Sequence, residues 1–188
     1  MKAGDFMQSG RYPECCSYGL DKTVKNVVEL LKQHDMTISV CESCTGGLLS
    51  ELITSVSGAS EVYELGICTY SEKIKNRFLG VPMEEIAEYG VVSREVALAM
   101  VCGLKKVSGA DVCISTTGVA GPSGGTEQTP VGTVYIGVDV CGKETVHLPP
   151  ISQMSELTRD KVRYTAAEYA FGIVEEILTE AFVDERQK

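Results

Sequence analysis

The feature that most constrains this chain is the segment 41–47, which reads Cys-Glu-Ser-Cys-Thr-Gly-Gly. It follows the β-branched run 37–40 and precedes the helix-like segment 48–53, so it predicts a strand, a tight turn and a helix. Backbone N–H groups at a helix start can stabilise an anion, and Ser43 stands beside them. Ser43 is therefore a candidate nucleophile. The alternative is a purely structural turn, capped by Ser43 or Thr45.

Composition narrows the class of protein. A chain of 188 residues with 44% hydrophobic residues suits one globular domain with a sizeable core. The formal net charge of −9 argues against a nucleic-acid partner, because that affinity comes mainly from neutralised phosphates. This charge is compatible with a small anionic ligand held by a few local cations.

The eight cysteines do not indicate a disulfide framework, since half of them fall in or beside apolar, strand-like runs. Cys41 and Cys44 could form a redox pair or half a zinc site, but there is no second C-x-x-C motif and His34 and His147 lack ligand spacing. We expect structural packing, no metal and no cofactor. We also expect no signal peptide and no membrane association, hence a cytoplasmic protein.

Periodicity predicts the elements along the chain. We expect an N-terminal extension over 1–20 and one domain over 21–188, in which Asp21 caps the first helix. Further helices are predicted over 45–56, after Ser71, over 83–88, after Ser93 and from about Thr158. Strands are predicted over 37–41, 62–70 and 111–117, followed by a hairpin over 131–148.

This order of elements predicts an α/β fold, a three-layer α/β/α sandwich with a mixed sheet. Ligands of such sheets gather beyond the carboxyl ends of the strands, where Ser43, Tyr70 and Thr117 are expected. Lys75 lies five residues after Tyr70 in a predicted helix. A partly desolvated Lys75 within hydrogen-bond reach of Ser43 could act as its base, the alternative being a solvated surface lysine.

Two further features suggest a phosphate-bearing ligand. Segment 118–125 holds four glycines but matches neither the Walker A nor the G-x-G-x-x-G pattern, so it predicts either the lining of a mononucleotide site or an ordinary surface loop. Arg159 and Arg163 stand four apart at the start of the last predicted helix. Two cations there are unfavourable without an anion, which favours a phosphate clamp over a solvated face.

Five motifs then make a resemblance specific, because they occur in the order and spacing of one known family. They are Glu42-Ser43-Cys44-Thr45-Gly46-Gly47, Thr69-Tyr70-Ser71, Tyr89-Gly90-Val91-Val92-Ser93, Thr117-Gly118-Val119-Ala120-Gly121-Pro122-x-Gly124-Gly125 and Pro130-Val131-Gly132-Thr133-Val134. Over about residues 22–182 the chain resembles the CinA C-terminal domain family, which includes stand-alone nicotinamide mononucleotide deamidases.

The resemblance implies a metal-free amidohydrolase that converts nicotinamide mononucleotide and water to nicotinate mononucleotide and ammonia. It implies Ser43 as nucleophile, Lys75 as base and Tyr70 as the partner of Lys75. It implies that Thr117 and the following glycine loop, with Gly118 and Gly121, contact substrate and that Arg159 binds the phosphate. The turn and the helix start add Thr45, Gly46, Gly47 and Arg163 as candidate substrate-binding residues. The expected partner is a pyridine mononucleotide, and we expect a homo-oligomer, with a dimer favoured.

The chain departs from the family pattern at two places. Glu72 stands where the family usually has Asn, and Leu157-Thr158-Arg159 stands where it usually has Gly-Asp-Arg. An anion at Glu72 would raise the pKa of Lys75 if the two side chains touched. Family members also occur fused behind a molybdopterin-binding-like domain. A non-catalytic nucleotide-binding module is therefore the alternative function.

Overall fold

The structure is a computed structural model that describes residues 18–185. Its helices are α1 (Tyr18–Gln33), α2 (Leu48–Thr54), α3 (Glu72–Leu79), α4 (Met83–Tyr89), α5 (Arg94–Ser108) and α6 (Arg159–Glu185). Its strands are β1 (Ile38–Glu42), β2 (Tyr63–Cys68), β3 (Val112–Gly118), β4 (Val134–Val140) and β5 (Lys143–His147).

The five strands form one sheet in the order β2-β1-β3-β4-β5. β1 pairs in parallel with both β2 and β3, whereas β3, β4 and β5 pair antiparallel. The two parallel connections need crossovers, which α2 and the α3–α5 group provide. The predicted α/β fold with a mixed sheet is confirmed.

Helices cover both faces of the sheet. α1, α2 and α6 share a hydrophobic core with one face, and α3, α4 and α5 pack on the other. All five residues of β1 are buried, as expected for a central parallel strand covered on both sides. This three-layer packing therefore fixes the positions of the carboxyl ends of β1, β2 and β3.

The start of the domain differs from the prediction. α1 begins at Tyr18 rather than after Asp21, and Asp21 lies in the first turn instead of capping the helix. Leu20, which falls within the predicted extension, is buried in the core, and this packing lengthens the helix toward the N-terminus. The rest of the predicted extension, residues 1–17, lies outside the described residues.

The hairpin between β4 and β5 closes through two left-handed residues, Cys141 (φ 52°) and Gly142 (φ 83°). This is the conformation expected for a two-residue hairpin turn. The N–H of Gly142 also donates to Asp139 Oδ1 at 3.1 Å. No described helix has the length and apolar composition needed to cross a membrane.

Candidate active site

The carboxyl ends of β2, β1 and β3 lie side by side because these strands are adjacent and parallel. Beyond them is a cleft of about 290 Å³. Its walls combine hydroxyl groups, small residues, a short apolar wall and one cation. The lining residues are Ser43, Cys44, Tyr70, Val91, Val92, Thr117, Gly118, Val119, Ala120, Gly121, Ser123, Gly124 and Arg159.

Ser43, which lines this cleft, contacts the side chain of Lys75. Lys75 Nζ lies 2.9 Å from Ser43 Oγ, within the distance expected of a base and its nucleophile. Lys75 Nζ also donates to the backbone carbonyl of Thr69 at 2.6 Å. The Lys75 side chain is 0% exposed, whereas Lys73, two residues earlier in α3, is exposed. The alternative of a solvated Lys75 is therefore wrong.

Burial lowers the pKa of the Lys75 ammonium below its ordinary value of 10.5. Cys41, Cys44 and Glu72 act in the opposite direction. Burial raises the pKa of Cys44 to about 12 and that of Cys41 well above 9.0, so both thiols are neutral near pH 7. Glu72 is thus the anion that opposes the shift, and desolvation outweighs it. Burial therefore increases the fraction of the neutral amine, the form that can accept a proton, relative to a solvated lysine.

The turn after β1 binds a carboxylate of the protein itself. Glu42 is 0% exposed, and its side chain accepts from the N–H groups of Gly47, Leu49 and Ser50 and from the Ser50 hydroxyl. The expectation that these N–H groups are free for a ligand is wrong. Cys44 lines the cleft and its N–H donates to no other residue within 18–185, so this N–H is a candidate oxyanion donor.

Three predicted substrate-binding residues lie in this turn but do not line the cleft. Gly46 and Gly47 adopt left-handed φ angles of 62° and 96°, so the turn ends there and α2 begins three residues later than predicted. The buried Thr45 hydroxyl hydrogen-bonds that of Thr116 at 2.8 Å. Neither Ser43 nor Thr45 caps α2, because the N-cap residue is Gly47.

Tyr70 lines the cleft but does not contact Lys75 as the resemblance implied. Its side chain is 64% exposed, and its hydroxyl accepts from Arg159 Nη2 at 3.3 Å. Tyr70 is the second residue after the end of β2 at Cys68, and its side chain points outward. Thr69, which lies between them, directs its carbonyl toward Lys75. The backbone of Thr69 is therefore the partner of Lys75.

The predicted glycine loop forms one wall of the cleft, with Gly118 and Gly121 among its lining residues. Gly121 has φ 79°, and a Cβ there would lie 2.5 Å from Val131 Cγ1, so the close approach requires glycine. Thr117 Oγ1 donates to the Val91 carbonyl at 2.7 Å. This bond fixes the Val91 and Val92 segment as the apolar wall of the cleft.

The two predicted phosphate ligands have different surroundings. Arg159 lines the cleft and donates to the Gly121 carbonyl at 3.0 Å, with no acidic partner among the described residues. Arg163 instead donates from Nε to the Thr45 carbonyl at 2.9 Å and pairs with Asp160 at 3.3 Å. Arg163 therefore ties α6 to the Ser43 turn and does not face the cleft.

Within residues 18–185, no group of three His, Cys, Asp or Glu side chains is arranged to hold a metal. Cys41 and Cys44 belong to the cores on opposite faces of the sheet, so they pack separately. Sequence reasoning did not identify Glu42, Thr69 and the Val91–Val92 wall as parts of the site. A carboxylate at the end of an apolar strand was a detectable signal for Glu42, since an unpaired buried charge is costly.

A sequence model described as the CinA C-terminal domain matches residues 20–178. The chain belongs to the CinA C-terminal domain family. A CinA-like protein of Kosmotoga olearia is 43% identical over 152 residues, which are 81% of this chain and 36% of that protein. A CinA-like protein of Thermotoga sp. (strain RQ2) is 49% identical over 123 residues, 64% of this chain and 30% of that protein. This CinA domain thus spans roughly a third of the length of these relatives.

Solved structures of the superfamily have the same fold. The competence/damage inducible protein CihA from Agrobacterium tumefaciens superposes with a TM-score of 0.82 at 28% identity, covering 89% of this chain and 99% of that one. A CinA superfamily protein from Enterobacter cloacae gives a TM-score of 0.80 at 27% identity, covering 92% and 99%. The three-layer arrangement of this CinA domain is therefore that of its superfamily.

Proposed function

We propose that this CinA domain is a nicotinamide-nucleotide amidohydrolase that releases ammonia from nicotinamide mononucleotide. The observation that carries the proposal is the buried Lys75 amine, 2.9 Å from the hydroxyl of a serine that lines a cleft. Burying a lysine without an acidic partner lowers stability, so its presence beside a nucleophile favours a catalytic role. The resemblance to the deamidases supplies the substrate.

The first half of the reaction forms an ester with Ser43. One N–H of the neutral Lys75 amine donates to the Thr69 carbonyl, which leaves the nitrogen lone pair for the Ser43 proton. Ser43 Oγ attacks the carboxamide carbon while Lys75 takes that proton. The Cys44 N–H stabilises the oxyanion. Lys75 then protonates the amide nitrogen, the C–N bond breaks and ammonia leaves.

The second half hydrolyses the ester. Lys75 is again neutral and takes a proton from a water molecule, whose oxygen attacks the ester carbon. The C–O bond to Ser43 breaks, and Lys75 returns the proton to Ser43 Oγ. The product is the nicotinate nucleotide. No metal or redox cofactor takes part in this scheme.

Recognition of the nucleotide rests on the remaining cleft residues. Arg159 is the cation of the cleft and lacks an acidic partner among the described residues, which suits a phosphate ligand. Val91 and Val92 line the cleft and offer an apolar surface for a pyridine ring. The Gly118–Gly124 backbone would then contact the sugar. The expected homo-oligomer, with a dimer favoured, remains a proposal that light scattering can test.

The test is an ammonia-release assay with nicotinamide mononucleotide, run on the parent, Ser43→Ala and Lys75→Met. We expect turnover by the parent alone, and free nicotinamide should be a poor substrate because it lacks the phosphate. Binding of nicotinate mononucleotide to all three proteins without ammonia release by the parent would instead support a non-catalytic nucleotide-binding module. Equal turnover of nicotinamide and its mononucleotide would contradict a phosphate site.

A further inference from the structure

The Glu42 carboxylate occupies an unusual place for a charged side chain. Glu42 is the last residue of β1, directly before Ser43, and it is fully buried. Taking a carboxylate out of water is strongly unfavourable unless hydrogen bonds replace the lost hydration. Its surroundings must therefore supply those bonds.

Four donors converge on this one carboxylate. Oε2 accepts from the N–H groups of Gly47 at 2.9 Å and Leu49 at 3.1 Å. Oε1 accepts from the Ser50 N–H at 3.0 Å and from the Ser50 hydroxyl at 2.8 Å. Both oxygens act as acceptors, which suits a carboxylate. A glutamine would turn an NH₂ group toward N–H donors on one side.

These bonds bracket the nucleophile. They join the residue before Ser43 to the residues that end its turn and begin α2, so the turn 43–47 is closed from both sides. The backbone of Glu42 adds a further link, because its carbonyl accepts from the Thr69 N–H at 2.8 Å. Thr69 in turn holds Lys75 through its own carbonyl at 2.6 Å. Glu42 is thus bonded to the turn that carries Ser43 and to the residue that holds Lys75.

We propose that Glu42 is a positioning residue for the Ser43–Lys75 dyad, whose buried carboxylate fixes the turn that aims the serine hydroxyl at the lysine amine. This inference rests on the proposed catalytic role of the dyad but not on the identity of the substrate. Glu42 does not touch the cleft, and it is not among the groups that shift the pKa of Lys75. It acts through geometry.

The experiment measures the rate at which a fluorophosphonate labels Ser43, followed by mass spectrometry across pH. The reagent needs an activated serine and no pyridine nucleotide. Glu42→Gln should lower the plateau labelling rate at least about tenfold, since an ångström of misplacement can cost a hundredfold. The pH midpoint should not move. The control is Glu51→Gln, an exposed acidic residue of α2, which should label within about twofold of the parent because exposed charges contribute little.

Each outcome decides the matter. A folded Glu42→Gln protein that labels at the parent rate, or one that changes only the pH midpoint, overturns the proposal. If Glu42→Gln does not fold, Ser50→Ala takes its place. Loss of one of four donors should slow labelling about two- to tenfold, and an unchanged rate overturns the proposal. A parent that labels no faster than Lys75→Met refutes the dyad and this inference with it. A parent that labels but releases no ammonia refutes only the proposed substrate.

Discussion

The starts of α2 and α6, both beside the cleft, carry side chains of opposite charge. At the start of α2, the N–H groups of Gly47, Leu49 and Ser50 donate to the buried carboxylate of Glu42. At the start of α6, the Arg159 guanidinium lies at the cleft and donates, within residues 18–185, to the Gly121 carbonyl and the Tyr70 hydroxyl. At the start of α2, the N–H donors are thus bound to a carboxylate of the protein itself. At the start of α6, a cation has no acidic partner among the described residues.

The difference indicates which part of a substrate each start can serve. Because the N–H groups of Gly47, Leu49 and Ser50 donate to Glu42, they are not available to bind a phosphate. The start of α2 instead holds the turn that carries the Ser43 nucleophile. The α6 start is unfavourable by itself, because a cation lies near the positive end of a helix, and a bound anion relieves this. A nucleotide would then place its carboxamide at Ser43 and its phosphate at Arg159.

The largest effect is expected from substitutions at Ser43 and Lys75. Ser43→Ala and Lys75→Met should each lower kcat for nicotinamide mononucleotide by at least about a thousandfold, since nucleophile and base act as a unit. Binding of nicotinate mononucleotide, measured by calorimetry, should persist because Arg159 is intact. Lys73→Met is the control, and its activity should equal that of the parent because Lys73 is exposed. A Ser43→Ala protein with a tenth of the parent activity would exclude Ser43 as nucleophile.

Removing the guanidinium at the start of α6 should have the next largest effect. Arg159→Ala should cost on the order of 2–4 kcal/mol in kcat/KM, about 30- to 1,000-fold, because a phosphate loses its charged partner. Arg163→Ala is the matched comparison, as it removes a guanidinium from the same helix that bonds Thr45 and Asp160 instead. Steady-state kinetics should separate the two. Equal losses from both substitutions would show that Arg159 is not a dedicated phosphate ligand.

Tyr70→Phe should have a smaller effect on the α6 side. The hydroxyl of Tyr70 bonds Arg159 at 3.3 Å and not Lys75, so its loss should reduce kcat/KM by only about two- to tenfold, the value of one hydrogen bond. The loss should appear in KM and leave the pH profile in place. A drop in kcat as large as that of Lys75→Met would restore the direct catalytic role that the resemblance implied.

The smallest effect is expected at Glu72, next to the dyad. Activity requires the neutral Lys75 amine, so kcat/KM should rise with pH through the pKa of Lys75, which burial holds below 10.5. We expect the rise to continue above about pH 8, because the reference pKa of lysine is high. Glu72 opposes the lowering, so Glu72→Asn should shift the profile to lower pH. Superimposable profiles would show that the exposed Glu72 carboxylate is screened by solvent.

Protein stability gives an independent check on the same lysine. Because its folded pKa is lowered, the unfolded chain binds more protons between that pKa and 10.5, and stability rises with pH over this window. Urea unfolding of the parent should show this rise as the pH approaches 10.5, relative to Lys75→Met. An identical pH dependence in the two proteins would mean that the buried amine is not desolvated.

The sequence predicted elements more reliably than contacts. Local patterns identified the Ser43 turn, the helix that carries Lys75 and the Ser93 cap, whose hydroxyl accepts from the Val96 N–H. The same patterns placed Arg159 and Arg163 on one helix face, yet only Arg159 lines the cleft. A separation of four residues fixes the spacing along a helix but not what lies opposite each side chain.

The sequence by itself determined the order of strands and helices, the mixed sheet and the presence of a serine turn, because periodicity and turn residues act locally. The family resemblance predicted Lys75 as the base of Ser43, but only the tertiary structure decided that Lys75 is buried while Lys73 is exposed, and that Glu42 binds the start of α2. Those outcomes depend on strand order, which brings the ends of β1, β2 and β3 together from distant parts of the chain. Desolvation and hydrogen-bond partners follow from that packing, and they set the chemistry of the cleft.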